Sequence, residues 1–264
     1  MITLHQIEQQ VLTRLAERKV QQPLAQLLAS AKPRSPVALR SVFRPGKVNI
    51  IAEIKVASPS EGDIATGTDP VEVARGYVVN GAVGLSILTE ETFFKGSIRS
   101  LGRVRRVLPS TFILMKDFIV DEYQLVEGLN AGADAVLLIA AMLGADRLPP
   151  LVEKAHAYGL HPLVEVHDER DLELAVSHGA TFIGVNNRNL KTMQVDVGTS
   201  ERLASLVPGG ATLISESGLT SGDQLIHLRS RGFKGFLIGT HFMKNSDPGD
   251  ALANLLRSVH AHQS

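Results

Sequence analysis

The chain has 264 residues, with 27 Lys plus Arg against 27 Asp plus Glu, so its formal charge is zero with neutral histidines. Neutrality argues against a dedicated nucleic-acid surface. The lack of cysteine excludes disulfides and thiolate metal sites, and no charge-free apolar run reaches membrane-spanning length. The expectation is a cytoplasmic protein without a membrane partner, its start MITLHQIEQQ lacking the basic region and apolar core of a signal peptide.

Residues 1–47 read as a helical leader that packs on a barrel spanning 48–264. Leu4, Ile7, Val11 and Leu15 recur at helical spacing, with Leu12 widening the stripe. Pro23 opens a shorter helical piece with Leu24, Leu27 and Leu28 on its apolar side, and Ser30 to Pro36 reads as loop. A packed appendage, a lid over a site and an interface helix all fit this leader.

Then an alternation sets in. Strand-like runs fall at Asn49 to Lys55, Ala82 to Leu88, Thr111 to Met115, Ala135 to Ile139, Pro162 to Val166, Thr181 to Val185, Thr212 to Ser215 and Gly235 to Ile238. Helical stretches follow near Pro70 to Val79, Ile98 to Val107, Glu122 to Asn130, Arg147 to Ala157, Glu169 to Ser177, Ser200 to Leu206, Ser221 to Arg229 and Ala251 to Val259. Asp69 before Pro70 is an N-cap followed by proline at the first helical position, and Asp121, Asp168 and Ser221 are further capping residues. Eight strands each followed by a helix fit a closed (β/α)8 TIM barrel with an added N-terminal leader.

The strand ends carry the chemistry. Glu53 and Lys55, two residues apart, share a face of strand one. Lys116 ends the apolar face of strand three, and Glu165 lies on a face with Leu163 in strand five. Asn186 shares a face with Gly184 in strand six, Arg188 follows in the loop, and Glu216 shares a face with Ile214 in strand seven. Charged side chains at the end of an apolar strand are costly unless paired or used. If these faces point inward, two lysines, three glutamates and an asparagine meet at one rim.

A phosphate site is the second expectation. Barrels often hold phosphate with the loops after strands seven and eight. Here those loops are Ser217-Gly218-Leu219 and Gly239-Thr240-His241, and Ser58 adds a third. Glycines admit an anion to backbone N–H groups and hydroxyls add donors. No histidine spacing matches the strand ends, so no metal is expected. There is also no glycine-rich nucleotide loop. Phe93, Phe94 and Phe118 lie just past strand ends, as loop anchors or as walls for an aromatic ligand.

At these residues the chain resembles the indole-3-glycerol-phosphate synthase family of tryptophan biosynthesis. The likeness runs through EIKVASPSEG at Glu53 to Gly62, SILTEETFFKGS at Ser86 to Ser97 and MKDFIVDEYQ at Met115 to Gln124. It continues through LVEVH at Leu163 to His167, IGVNNRNL at Ile183 to Leu190, ISESGL at Ile214 to Leu219 and FLIGTHFM at Phe236 to Met243. The resemblance implies ring closure, decarboxylation and dehydration of 1-(2-carboxyphenylamino)-1-deoxyribulose 5-phosphate to indole-3-glycerol phosphate, without a cofactor. Its catalytic group matches Glu53, Lys55, Lys116, Glu165, Asn186 and Arg188, with Ser217 nearby. Its phosphate group matches Ser58, Gly218, Gly239 and Thr240. Phe118 and Leu137 match apolar positions near the anthranilate ring, and Glu216 joins the substrate-binding rim. Glu61 stands where members of this family commonly carry a basic residue. The implied partner is a phosphorylated small molecule, with other tryptophan-pathway enzymes as further possible partners.

That chemistry needs an ammonium to meet oxygen charge as the carbon–carbon bond forms, and a carboxylate to exchange protons. Lys116 is the expected first acid, with Lys55 its rival. Two other readings fit the residues alone. One is a different phosphosugar isomerase or aldolase, the latter using Lys55 or Lys116 as a Schiff-base nucleophile. The other is a phosphometabolite-binding protein without activity.

Overall fold

The computed structural model describes residues 3–31 and 34–261. Positions 1–2 of the leader, part of the Ser30 to Pro36 loop (residues 32–33) and positions 262–264 lie outside the described residues.

Eight strands form one closed parallel barrel: β1 Ile50–Ile54, β2 Gly84–Leu88, β3 Phe112–Lys116, β4 Ala135–Ile139, β5 His161–Val166, β6 Phe182–Asn186, β7 Thr212–Glu216 and β8 Phe233–Ile238. Each strand pairs with its sequence neighbours, and β8 closes onto β1 through Ile50 opposite Phe236 and Ile51 opposite Leu237. Most strand residues are buried. This is why they read as apolar runs rather than alternations, since helices cover the outer face of a parallel sheet.

The leader is three helices, α1 Leu4–Gln21, α2 Leu24–Ala29 and α3 Leu39–Val42. The barrel helices are α4 Pro70–Val79, α5 Ile98–Val107, α6 Glu122–Ala131, α7 Ala140–Ala157, α8 Glu169–Ser177, α9 Gly198–Ala204 and α10 Gly222–Ser230. A short α11 Thr240–Met243 follows β8, and α12 Pro248–Ala261 ends the fold. Asp69, Asp121, Asp168 and Ser221 each cap a helix with a side-chain oxygen that accepts a first-turn N–H. None of these helices is long and apolar enough to cross a membrane, among the described residues.

Three details depart from the sequence reading. The helix expected from Arg147 begins at Ala140 and breaks at Gly144, whose φ of 63° no continuous helix tolerates. The turn after β1 is a small antiparallel hairpin, Ala57–Ser58 with Gly62–Asp63. In the leader, Ile7, Val11 and Leu15 are buried, but Leu12 and Leu28 stay partly exposed, so the stripe is narrower than expected.

The first leader helix, α1, lies on the catalytic side of the barrel, whereas Arg34 and Val37 further along the leader reach Asp134 at the opposite end. Ion pairs hold α1 in place: Glu8 to Arg147 at 2.6 Å, Arg18 to Glu127 at 3.3 Å, Lys19 to Asp121 at 2.7 Å, and Arg14 to Glu91 in the loop after β2.

Candidate active site

The C-terminal ends of the strands surround a cavity of about 430 Å³. Every residue that the resemblance matched to catalysis or binding lines it. Glu53, Lys55 and Ser58 come from β1 and its hairpin, Lys116 and Phe118 from β3, and Leu137 from β4. Glu165 comes from β5, Asn186 and Arg188 from β6, Glu216, Ser217 and Gly218 from β7, and Gly239 and Thr240 from β8. Leu4 and Ile7 of α1 complete the wall.

The charges form a lattice of two groups, one around Lys116 and one around Glu53. Lys116 Nζ donates to Glu165 Oε2 and to Glu216 Oε2, each at 2.8 Å. Lys55 Nζ lies 3.0 Å from Glu53 Oε1, and Ser86 Oγ donates to Glu53 Oε2 at 3.4 Å. Glu165 Oε1 lies 3.2 Å from His167 Nε2, and the His167 ring is backed by Asp171 Oδ2 at 3.3 Å from Nδ1.

Burial alone would lower the Lys116 pKa, but the charges of Glu165 and Glu216 outweigh it and hold the ammonium above its usual range. Burial would raise Glu165, yet Lys116 and His167 overcome it and keep the carboxylate ionised. Glu216 is raised, by burial first and then by the charge of Glu165, with Lys116 opposing. The two carboxylates on one ammonium therefore differ in protonation tendency, an arrangement that separates acid from base roles. His167 is raised to about 9, because its ion pairs to Asp171 and Glu165 outweigh burial, and is an imidazolium at neutral pH.

Two glycines make room for the lattice. A methyl group at Gly184 would run into Glu216 Oε1, and one at Gly239 would sit 2.5 Å from Glu53 Oε1. The space a side chain would fill on β6 thus admits the carboxylate that reaches Lys116. Glu216 Oε1 is buried with no hydrogen-bond partner among the described residues.

The polar loops complete the rim. Asn186 Oδ1 accepts the Arg188 N–H at 2.9 Å, which leaves the donor half of the amide for a ligand. Arg188 Nη1 donates to the Met193 carbonyl at 3.1 Å, so the guanidinium is anchored by its own loop. Ser217 has a φ of 67° and Gly218 one of 75°, a left-handed pair that turns the chain sharply after β7. Non-glycine residues in this region are strained and cluster at functional sites. Phe118 and Phe94 face each other at 5.7 Å between ring centroids and both line the cavity, whereas Phe93 does not line it.

Sequence reasoning did not find every residue here. His167 was visible only as a histidine past strand five, and its role depends on Asp171 one helical turn later. Asp117 lines the cavity, takes a hydrogen bond from Thr89, accepts the Phe118 N–H at 2.8 Å, and is pushed up to about 6 by burial. Glu90 is buried and accepts the N–H groups of Thr92, Phe93 and Phe94, which shapes the loop that presents Phe94. Lys244 also lines the cavity, 2.7 Å from Glu61. Neither periodicity nor strand parity marks loop residues of this kind.

Known proteins share both the sequence and the shape. A family model described as indole-3-glycerol phosphate synthase matches residues 4–255. The indole-3-glycerol phosphate synthase of Campylobacter jejuni subsp. jejuni serotype O:23/36 (strain 81-176) is 45% identical over 248 residues, covering 92% of this chain and 95% of that protein. The one from Nocardioides sp. (strain ATCC BAA-499 / JS614) is 44% identical over 245 residues, covering 91% and 93%. Among solved structures, 3-hexulose-6-phosphate synthase from Salmonella typhimurium aligns with a TM-score of 0.64 at 13% identity, over 81% of this chain and 100% of that one. At that identity the likeness shows the barrel fold alone.

Proposed function

The chain belongs to the indole-3-glycerol phosphate synthase family, and from that premise we propose how its rim performs the reaction. The enzyme closes the ring of 1-(2-carboxyphenylamino)-1-deoxyribulose 5-phosphate, then releases carbon dioxide and water to leave indole-3-glycerol phosphate. The assignment of residues to these steps rests chiefly on one observation: Lys116 Nζ sits 2.8 Å from both Glu165 and Glu216 inside the cavity.

The aryl carbon that bears the carboxylate attacks the ribulose carbonyl. As the carbon–carbon bond forms, the carbonyl electrons move to oxygen, and Lys116 protonates the developing alkoxide. Loss of carbon dioxide then returns the electron pair to the ring system. Finally the new hydroxyl takes a proton and leaves as water, while a base removes the ring proton. In this reading Glu216, with its raised proton affinity, resupplies Lys116. Glu165, held ionised between Lys116 and His167, receives the proton from the ring. Glu53 orients Lys55, which serves the hydroxyl as it departs. General acid–base steps of this kind contribute roughly 10²- to 10⁴-fold each.

The rest of the rim binds. The free N–H groups of the Arg188 guanidinium meet the substrate carboxylate, and the Asn186 amide donates to the sugar. Phe118 and Leu137 flank the aromatic ring. The phosphate lies against the backbone of Gly218 and Gly239 and the hydroxyls of Ser58 and Thr240, close to the strained Ser217 turn. No redox step occurs, and the substrate's own electron sink serves the decarboxylation.

A Schiff-base aldolase is the poorer fit to Lys116. A nucleophilic lysine needs its pKa lowered, and two carboxylates hold this one up. The test is indole fluorescence developing on addition of the carboxyphenylamino-deoxyribulose phosphate, with the product mass checked. A substrate that binds and stays unchanged would overturn the proposal.

A further inference from the structure

The cavity carries one more cation on the side assigned to phosphate, and it is paired. Lys244 Nζ lies 2.7 Å from Glu61 Oε2. Lys244 ends α11, the turn that begins with Thr240 directly after Gly239. Glu61 sits in the hairpin turn after β1, where its N–H donates to Ser58 Oγ at 3.3 Å. Both side chains line the cavity together with Ser58, Gly239 and Thr240. The pair therefore bridges the two loops between which the phosphate is placed.

Charge arithmetic makes this pair informative. A phosphomonoester carries a charge of about −1.5 to −2 at pH 7. The donors assigned to it so far are neutral N–H and hydroxyl groups. Lys55 and Lys116 are committed to carboxylates at 3.0 and 2.8 Å. Glu61 adds a negative charge beside Ser58. Its hydrogen bond from Lys244 holds it below the usual carboxylate range against partial burial, with Arg188 and Lys55 adding to the effect. Without a shared cation, Glu61 and a phosphate would repel each other across the same few ångströms.

We propose that Lys244 is the charged ligand of the substrate phosphate, and that Glu61 holds it at the mouth and competes with the phosphate for it. The inference rests on the phosphate placement given above. The Lys244 side chain is 56% exposed and that of Glu61 27%. Such a pair contributes little in water and exchanges partners readily. Lysine suits this task, being a compact charge on a flexible stem.

The two substitutions then act in opposite directions. Calorimetry with the unreactive reduced analogue, 1-(2-carboxyphenylamino)-1-deoxyribitol 5-phosphate, and with its dephosphorylated form gives the ratio of the two dissociation constants. That preference should fall about tenfold in Lys244→Met, the size expected for losing one hydrogen bond to a charged group. In Glu61→Gln it should rise severalfold, which a merely structural role for Glu61 would not produce. A general folding defect weakens both analogues and leaves the ratio alone. An unchanged ratio in Lys244→Met, with the wild type still preferring the phosphorylated analogue, overturns the role of Lys244 and leaves the phosphate site standing. A lowered ratio in Glu61→Gln overturns the competition. No preference in the wild type overturns both the placement and the inference.

Discussion

The barrel buries charge at both ends, and the two clusters are built in opposite ways. At the N-terminal end the carboxylate of Asp134 is fully buried and accepts four donors: Arg34 at 2.7 Å, the Val37 N–H at 2.8 Å, Arg105 at 2.5 Å and the Ile113 N–H at 2.8 Å. Arg105 spends its other N–H groups on the carbonyls of Gly132, Leu108, Pro109 and Thr111. At the C-terminal end two glutamates crowd one lysine, and one Glu216 oxygen has no partner among the described residues. In the first cluster both carboxylate oxygens are supplied with donors, which ties the leader to three barrel segments, and the one buried group without a partner among the described residues is a donor, Arg34 Nε. The second is left short of donors, with unequal carboxylates facing a cavity. A carboxylate with both oxygens supplied serves the fold; one with an oxygen left open beside a cavity serves the chemistry.

The comparison breaks most sharply at Lys116. Lys116→Ala should lower turnover at least about 10²-fold, read by indole fluorescence, and Lys116→Arg should not restore it, since a guanidinium is a poor proton donor. Asp134→Ala should do the reverse. Removing one partner of a buried ion pair costs about 3–5 kcal/mol, so urea unfolding should shift strongly while turnover per folded molecule stays near wild type.

His167 sharpens the contrast, because it props Glu165 from behind. Its folded pKa is raised to about 9 from an unfolded value near 6.5. The stability it contributes is therefore fully present below about pH 6.5 and is lost as pH rises through about 9, on the order of 3 kcal/mol in all. Urea titrations from pH 6 to 9.5 should show that loss in the wild type and a flatter profile in His167→Gln. The smallest effect is expected at Gly184. Gly184→Ala should displace the Glu216 carboxylate from Lys116 and cost about tenfold in turnover, within the range that misplacement of a catalytic group by an ångström allows, with little change in substrate binding.

Much of this could be read from the residues. The eight apolar runs and their caps mark the barrel because burial on both faces and capping chemistry are local properties. The inward parity of Glu53, Lys55, Lys116, Glu165, Asn186 and Glu216 follows from the two-residue period of a strand, and all six reach the cavity. What stayed hidden depends on closure of the barrel. Parity does not say that Glu216 crosses past Gly184 to Lys116, because that contact joins β7 to β3 across the interior. The Glu61–Lys244 pair joins loops from the first and last strands, 183 residues apart in sequence and adjacent only because β8 pairs with β1. By its place after the last strand, Gly239 reads as a residue for phosphate. In the fold it also spaces Glu53, so enlarging it would disturb the Lys55 pair as well. The early start of α7 and its break at Gly144 escaped for another reason: a left-handed glycine and the paired prolines Pro149 and Pro150 mask a helical period.

The most direct test of the account separates the three chemical steps. Single-turnover measurements on the wild type, Lys116→Ala and Lys55→Ala, with solvent isotope effects, resolve ring closure, decarboxylation and dehydration. The account expects Lys116→Ala to slow ring closure itself by at least about 10²-fold, while Lys55→Ala leaves that step nearly intact and slows the later loss of water. Ring closure at wild-type speed in Lys116→Ala, with its abolition in Lys55→Ala, would contradict the account and make Lys55 the first acid.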